Sequence, residues 1–272
     1  MSTAIGFEVL SNQSLQQLAP AAFAQSAHES RSDRYGFVPT SEVIAGLQKA
    51  GFHPTHATQA KSRDEDRQQH TKHMLRFRRQ GEAIAGMVPE VVMLNSHDGS
   101  SSYQLIGGLF RFVCFNGLMV GDMYSQIRVM HQKDQVRDVI EGSYTVIDES
   151  RKALTRAQEM GKVMLSTDEC RLLATTAHAE RFGASEMAGW IKLEHLLAPR
   201  RQADTNNDLF SVMNRIQENV IRGGVKAWGR NRLNRSSRRI TTREVKGIDQ
   251  TVSLNRALWN AAESLMQLKA VY

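Results

Sequence analysis

The most one-sided chemistry in the sequence lies in residues 228–239, which read WGRNRLNRSSRR. Five of the twelve residues are arginines and none is acidic; the arginines are Arg230, Arg232, Arg235, Arg238 and Arg239. A guanidinium group binds a phosphate through two parallel hydrogen bonds. The interspersed Gly, Asn and Ser predict an irregular loop that can conform to a polyanion, so we expect these arginines to hold the phosphates of a nucleic acid.

The residues around this stretch extend the basic loop to 226–246. From Arg222 to Lys246 there are nine Lys or Arg residues and a single acid. Lys226 adds a cation, and Trp228 offers an aromatic ring for base stacking, the usual companion of charge in single-strand binding. Single-stranded DNA is therefore the expected ligand. Two other readings stay open: a solvated loop, or arginines that pair with acids of a neighbouring subunit.

A second basic element is expected in the strand HTKHMLRFRR, residues 70–79. Period-two alternation places Lys72, Arg76 and Arg78 on one face of this strand. Arg111, in LFRFVCF, could add to the same face. We predict that this row and the basic loop form the two sides of a groove. The alternative is a solvent-facing antiparallel surface, which is normally polar.

Two histidine pairs raise the question of a metal site. His53 and His56, and His70 and His73, are each three residues apart, with three acids at 64–66 between the pairs. Imidazole and carboxylate ligands suit zinc or manganese. However, both segments are predicted as extended, and positions i and i+3 of a strand point to opposite faces. We expect no metal and no cofactor.

Signatures of catalysis are absent from the sequence. It contains neither a Walker-type phosphate loop, a dinucleotide-binding glycine motif, a serine nucleophile elbow nor a paired-cysteine motif. Cys114 lies in an apolar strand with no adjacent base, so it is not expected to be a nucleophile. A non-enzymatic protein is the leading hypothesis, and a metal-dependent hydrolase is kept as the third.

The elements that would position these residues fall in two parts. Alternating hydrophobicity on both sides of Asp98-Gly99, a dipeptide typical of a type I′ turn, predicts antiparallel strands over 35–133. Helical spacing dominates residues 134–272, where Ser166 and Glu169 predict a capping box.

The expected fold class is therefore α+β: a central antiparallel β-sheet with an N-terminal helix and a helix-rich C-terminal half. Residues 1–34 are expected to form a flexible or loosely packed N-terminal arm. Residues 35–272 are expected to form a single domain, sheet-rich over 35–133 and helical over 134–272.

The totals favour an anionic partner in a reducing compartment. The net charge is +7 and the isoelectric point about 9.6. Two cysteines, Cys114 and Cys170, cannot build a disulfide framework for 272 residues. No stretch approaches 18 apolar residues and the first twenty lack a signal pattern, so we expect a cytoplasmic protein with no membrane partner. Homo-oligomerisation is expected because assembly would cover the edges of the sheet.

Long blocks of the sequence resemble a known family. They are RYGFVPTSEVIAGLQKAGFHPTHATQAKSRDEDRQQHTKHMLRFRR, VPEVVMLNSHDGSSSYQLIGGLFRFVCFNGLMVGD and NRALWNAAE. All three are similar to the YfjQ/YafZ-type proteins, a phage- and plasmid-related family with a domain of unknown function. The likeness runs from about residue 34 to the end of the chain. It implies a protein of a mobile element, and it supplies no catalytic residues.

Mobile elements commonly encode non-enzymatic proteins that anneal single strands, so the resemblance suggests a strand-annealing or recombination accessory by analogy. The alternative hypothesis is a prophage interaction protein that binds a host defence or replication protein, with the basic loop docking on an acidic surface. The chemistry of the loop fits both, and nucleic acid is the favoured partner.

Overall fold

The computed structural model of the chain describes residues 8–32, 35–83, 86–112, 116–119, 126–129, 136–230 and 237–271. The chain divides into two compact units, Met1–Leu154 and Thr155–Tyr272. We expected one domain over 35–272 in which the sheet-rich part ends at residue 133. The boundary between the two units falls within a long helix, because the first half of that helix supplies core residues to the sheet; the single domain stays a prediction.

An antiparallel sheet of six strands forms the centre of unit 1. The strands are β1 (Phe52–Gln59), β2 (His73–Arg79), β3 (Met87–Asn95), β4 (Tyr103–Arg111), β5 (Asn116–Met119) and β6 (Gln126–Val129). β1 to β5 pair in sequence order, and β6 pairs with the first half of β4 while β5 pairs with its second half. The expected central antiparallel sheet is confirmed.

One face of the sheet carries the hydrophobic core of unit 1. It packs against α1 (Asn12–Leu18), α2 (Thr40–Lys49) and the first part of α4 (Val136–Met160). A short α3 (Glu65–Gln68) lies between β1 and β2, and a 3₁₀ turn, Pro20–Phe23, follows α1. Leu15 of α1 is fully buried in this core. The described part of the N-terminal arm, residues 8–32, is therefore packed and not loose, because its apolar side chains complete the core.

The second face of the sheet is buried as well. Val88, Val92 and Ile106 point away from the first core and are at most 1% exposed. An antiparallel sheet often keeps one wet face, which the alternating cations of β2 had suggested. In this sheet both faces of the central strands are shielded from water.

The connection between β3 and β4 differs from the two-residue turn predicted at Asp98-Gly99. The strands end at Asn95 and resume at Tyr103, so the connection is seven residues long. Gly99 does have a positive φ of 77°. The Oδ1 atom of Asp98 accepts a hydrogen bond from the backbone of Ser100 at 2.9 Å. This side-chain bond closes a local turn within a longer loop in place of a tight hairpin.

Helices surround a buried helix in unit 2. They are α5 (Thr167–Phe182), α6 (Leu193–Leu197), α7 (Leu209–Ile221) and α8 (Ile248–Val271), with 3₁₀ turns at Glu186–Gly189 and Gln202–Asp204. α5 begins at the predicted capping box, in which Ser166 and Glu169 bond each other's backbone. Every residue from Leu209 to Val220 of α7 is buried. The helix-rich C-terminal half, and with it the α+β class, is confirmed. No helix in the described part of the chain is long and apolar enough to cross a bilayer.

Candidate nucleic-acid interface

The basic loop predicted at 226–246 contains two strands, and residues 242–246 follow them without regular structure. β7 (Lys226–Arg230) and β8 (Ser237–Thr241) pair antiparallel in unit 2, and we call this pair the basic hairpin. The prediction of an irregular loop is therefore wrong for both flanks. Gly and charged residues have a low strand propensity. Here the burial of Ala227 and Gly229 and the pairing of the two strands offset it. Residues 231–236, with Arg232 and Arg235, lie outside the described residues.

The outer face of the basic hairpin presents one aromatic ring between cations. Lys226 and Trp228 project from β7 and Arg239 from β8, and all three are exposed. We call these three residues the platform. Trp228 is 71% exposed, and Arg239 is its direct partner across the strands. Directly opposed residues have Cβ atoms about 5 Å apart, so the two side chains leave the hairpin as neighbours. A large exposed aromatic next to a cation is the arrangement that binds a base and its phosphate.

The inner face of the basic hairpin lies against the helical part of unit 2. Ala227 is only 4% exposed, and Gly229 is buried beside the indole ring of Trp190. A Cβ atom at Gly229 would overlap that ring, so a side chain at this position would push the strand outward. Trp190 therefore packs against the inner face of the hairpin, and only glycine at position 229 permits this close approach of ring and strand.

Four backbone features fix where the hairpin leaves and rejoins the helices. Gly223 and Gly224 have φ of 66° and 76°, a left-handed conformation that turns the chain from α7 into β7. Gly224 N–H donates to the carbonyl of Thr242 at 2.7 Å, and Val245 N–H donates to the carbonyl of Ile221 at 2.8 Å. The base of the hairpin is thus tied to the last turn of α7.

Arg181 of α5 joins the two chain segments at this base. Its Nε donates to the carbonyl of Val220 at 3.2 Å and its Nη2 to the carbonyl of Arg243 at 3.1 Å. One acceptor precedes β7 and the other follows β8. Burial lowers the pKa of the Arg181 guanidinium, and both acceptors are neutral carbonyls. The residue acts as a clamp across the entry and exit of the hairpin.

The structure brings together part of the predicted set. Lys226, Trp228, Arg238 and Arg239 all lie on the basic hairpin and are exposed. Arg230 is the last residue of β7, paired with Ser237 through its backbone. Arg238 belongs to the opposite face from Arg239, because neighbouring residues of a strand point to opposite sides. The hairpin therefore directs arginines to both of its faces.

The row of cations predicted on β2 is not exposed. Arg76 and Arg78 are 6% and 5% exposed and both bind Glu90 of β3, which is fully buried. Arg76 Nη1 lies 2.7 Å from Glu90 Oε2, and Arg78 Nε lies 2.7 Å from Oε1. The Arg78 guanidinium also stacks over Phe110 at 3.4 Å. Buried charges need such pairing because an isolated charge is costly to desolvate.

The remaining residues of that predicted row, Lys72 and Arg111, are half-buried in unit 1. Each already interacts with other groups of the protein. Arg76 and Arg78 are correctly placed on one face, but that face is covered, so they leave the proposed set of contacts. No exposed row of three cations exists on β2.

The histidine pairs do not form a metal site within the described residues. No group of three or more His, Cys, Asp or Glu in those ranges could hold a metal ion. His53 and His56 lie on either side of an irregularity in β1, opposite Arg78 and Arg76. Cys170 is a buried thiol whose pKa is raised by burial, and Cys114 lies outside the described residues.

Unit 1 contains a buried polar network that the sequence patterns did not predict. It centres on the hydroxyl of Thr40, with His73 Nε2 at 3.0 Å, His97 Nε2 at 3.3 Å and Asn95 Nδ2 at 3.0 Å. His73 Nδ1 lies 3.1 Å from the carbonyl of Thr71 and must donate to it. His73 Nε2 is then an acceptor, so the Thr40 hydroxyl donates to it. Burial lowers the pKa of His73 to about 4, which keeps this ring neutral.

This network connects α2, β2 and β3 and has no access to solvent. Thr40, His73, Asn95 and His97 are all fully buried. Their side chains bind one another, so their role in unit 1 is to fix the end of the sheet against α2. The candidate ligand contacts that are exposed therefore remain those of the basic hairpin in unit 2.

Comparison with known proteins places the chain in a family. Residues 27–259 match the family described as "Domain of unknown function (DUF932)". Two relatives from Escherichia coli (strain K12), "UPF0380 protein YafZ" and "UPF0380 protein YfjQ", are each 43% identical over 257 residues. These matches cover 94% of this chain and 92% of each relative. No solved structure matches it. On the extent of these matches, the chain belongs to the DUF932 family.

Proposed function

We propose that this protein binds nucleic acid through its basic hairpin and prefers single strands. The observation that carries the proposal is the pairing of Trp228, 71% exposed, with Arg239 directly across the strands. Covering a large apolar ring that is exposed to water is favourable, and every nucleobase offers a flat face that can cover it. In a duplex the faces of the bases are already stacked, so only unpaired bases can use the ring.

No catalytic step is part of this proposal. The hairpin offers cations, an aromatic ring and backbone, which bind phosphates and bases but do not cleave bonds between them. A cytoplasmic strand-annealing or recombination accessory of a mobile element would use such a surface, and its expected self-association would place several hairpins along one strand.

Fluorescence anisotropy with labelled oligothymidine and with a duplex of equal length tests the proposal. We expect tighter binding to the single strand, and we expect Trp228→Ala to weaken that binding about fivefold or more, since stacking contributes about 1–3 kcal/mol per base. Trp228→Phe is the matched control, because it keeps an aromatic face and should retain most of the affinity. Equal binding of the Ala and Phe variants would show that the ring does not stack on a base.

A second candidate is a protein interface, because Trp and Arg are also the residues most enriched at interface hot spots. In that case the hairpin would dock on an acidic surface of a host protein. The absorbance ratio at 260 and 280 nm separates the two candidates. Bound nucleic acid raises the ratio of the purified protein until nuclease removes it, whereas a protein-binding hairpin leaves it unchanged.

A further inference from the structure

A cluster of three arginines lies at the C-terminal end of α7, directly before β7. Arg201 forms two hydrogen bonds with Glu218, at 2.7 and 2.6 Å, and Arg222 Nη1 approaches the same carboxylate at 3.1 Å. Arg200 donates to Asn219 Oδ1 at 2.7 Å and to the carbonyl of Gly223. We call Arg200, Arg201 and Arg222 the arginine cluster.

The arginine cluster carries more positive charge than its partners neutralise. Glu218 is the only carboxylate among the hydrogen-bond partners of these three residues in the described chain, and it is 3% exposed. Arg200 binds only neutral oxygens, so a formal excess of two positive charges remains. Burial lowers the pKa of Arg200; the charge of Glu218 opposes this shift, and the charges of Arg222 and Arg201 add to it. An anion at this place would relieve the repulsion among the three guanidinium groups.

Helix capping explains only part of the arginine cluster. Cations near the last turn of a helix satisfy its free carbonyls and interact favourably with the helix dipole, as Arg200 does at Gly223. Arg222 binds no backbone carbonyl in the described residues, and its side chain is 46% exposed. A guanidinium has five N–H donors, and this contact uses one of them. Arg222 is therefore able to take a phosphate without giving up Glu218.

The position of the arginine cluster links it to the platform. Arg200 Nη1 and Nη2 are 3.9 Å from where a Cβ atom of Gly224 would lie. Gly224 precedes Lys226, the first residue of β7, by two positions. Two residues of chain span at most about 7 Å. The cations of the cluster and of the platform are thus close enough to contact neighbouring phosphates of one strand.

We infer that Arg200, Arg201 and Arg222 form a second phosphate site, so that one nucleic-acid strand runs from the platform onto the end of α7. This inference rests on the proposed function and adds to it the path of the strand. Arg222 is the contact most open to the ligand, while Arg200 and Arg201 shape the site around Glu218.

The test compares Arg222→Gln with Arg171→Gln in the full chain. Arg171 is also a half-exposed arginine of unit 2 in a single ion pair, with Glu194 at 2.9 Å. It lies ten residues before Arg181 on α5, about 15 Å from the hairpin clamp. Binding of labelled oligothymidine is measured by anisotropy from about 50 to 300 mM salt, where each phosphate contact to a single strand adds about 0.7 to the slope of log affinity against log salt.

We expect Arg222→Gln to reduce that slope by about 0.7 and to weaken binding about fivefold to tenfold at 50 mM salt, and Arg171→Gln to change neither. Arg222→Lys, which keeps the charge, should retain the slope. If Arg222→Gln and Arg171→Gln behave alike while Trp228→Ala still weakens binding, the second site is overturned and the proposed function stands. If the unaltered protein binds no strand at low salt, both are overturned.

Discussion

At the scale of single residues, one buried histidine of unit 1, His73, makes stability depend on pH. His73 is fully buried, and its burial lowers the pKa from the ordinary 6.5 to about 4. The unfolded chain therefore binds a proton between these two values that the folded chain does not bind. By linkage, this contribution to the free energy of unfolding is present above pH 6.5 and is lost as pH falls toward 4.

Between pH 7.5 and 5 we expect His73 to lower the free energy of unfolding by about 2 kcal/mol, and His73→Gln to lack this share of the pH dependence. Urea unfolding should be followed by circular dichroism, since all three tryptophans lie in unit 2. His53→Gln is the control, because His53 is only half-buried on β1 of the same unit. The same loss of stability in wild type and His73→Gln would show that His73 is not the responsible group.

At the scale of elements, the basic hairpin depends on a clamp from a different helix. Arg181 of α5 binds the carbonyls of Val220 and Arg243, on the two sides of the hairpin. Hydrogen bonds from a charged donor contribute about 1.5–3 kcal/mol when buried, and this side chain is only partly buried. Removing the clamp should therefore open the hairpin locally and leave the helices folded.

We expect Arg181→Met to accelerate amide hydrogen exchange across β7 and β8 about tenfold, with unchanged exchange in α7. Hydrogen exchange measured by mass spectrometry resolves these segments. Arg171→Met, on the same helix but far from the hairpin, should leave exchange in β7 and β8 unaltered. Unchanged protection of β7 and β8 in Arg181→Met would mean that the strands do not rely on the clamp.

Elements with a local signal could be predicted from the sequence. The capping box of Ser166 and Glu169 was found because both partners lie within one turn. The strands of unit 1 were found because their side chains alternate. The basic hairpin was not, because Gly and charged residues have low strand propensity and the support from Trp190 is 39 positions away in the sequence.

The inward direction of Arg76 and Arg78 could not be predicted for a different reason. Period-two alternation separates the two faces of a strand but does not say which face meets water. Both faces of β2 are buried, and the two arginines are accommodated by Glu90 of the neighbouring strand β3, which lies directly opposite Arg78. The burial of His73 was predictable from the sequence. His73, Leu75 and Phe77 are spaced two residues apart in the strand, so His73 shares the inward face of the two apolar residues.

At the scale of the whole molecule, the net charge of +7 attracts any polyanion, and this general attraction must be separated from a defined site. Lys226 and Arg239, the two cations of the platform, are exposed on the basic hairpin in unit 2. Arg137 and Lys152 of α4, in unit 1, are also exposed, with side chains 86% and 68% accessible. Each pair carries two charges, so neutralising either pair changes the net charge by the same amount.

If the hairpin is the binding site, Lys226→Gln/Arg239→Gln should weaken binding of oligothymidine at 50 mM salt by about ten- to a hundredfold and reduce the salt slope by about 1.4. Arg137→Gln/Lys152→Gln should change affinity less than twofold, because these two residues do not belong to the hairpin and would act on the ligand only through the overall charge. Anisotropy titrations of the two variants measure both quantities. Equal weakening in the two variants would mean that the protein attracts nucleic acid through its overall charge and that the hairpin is not a defined binding site.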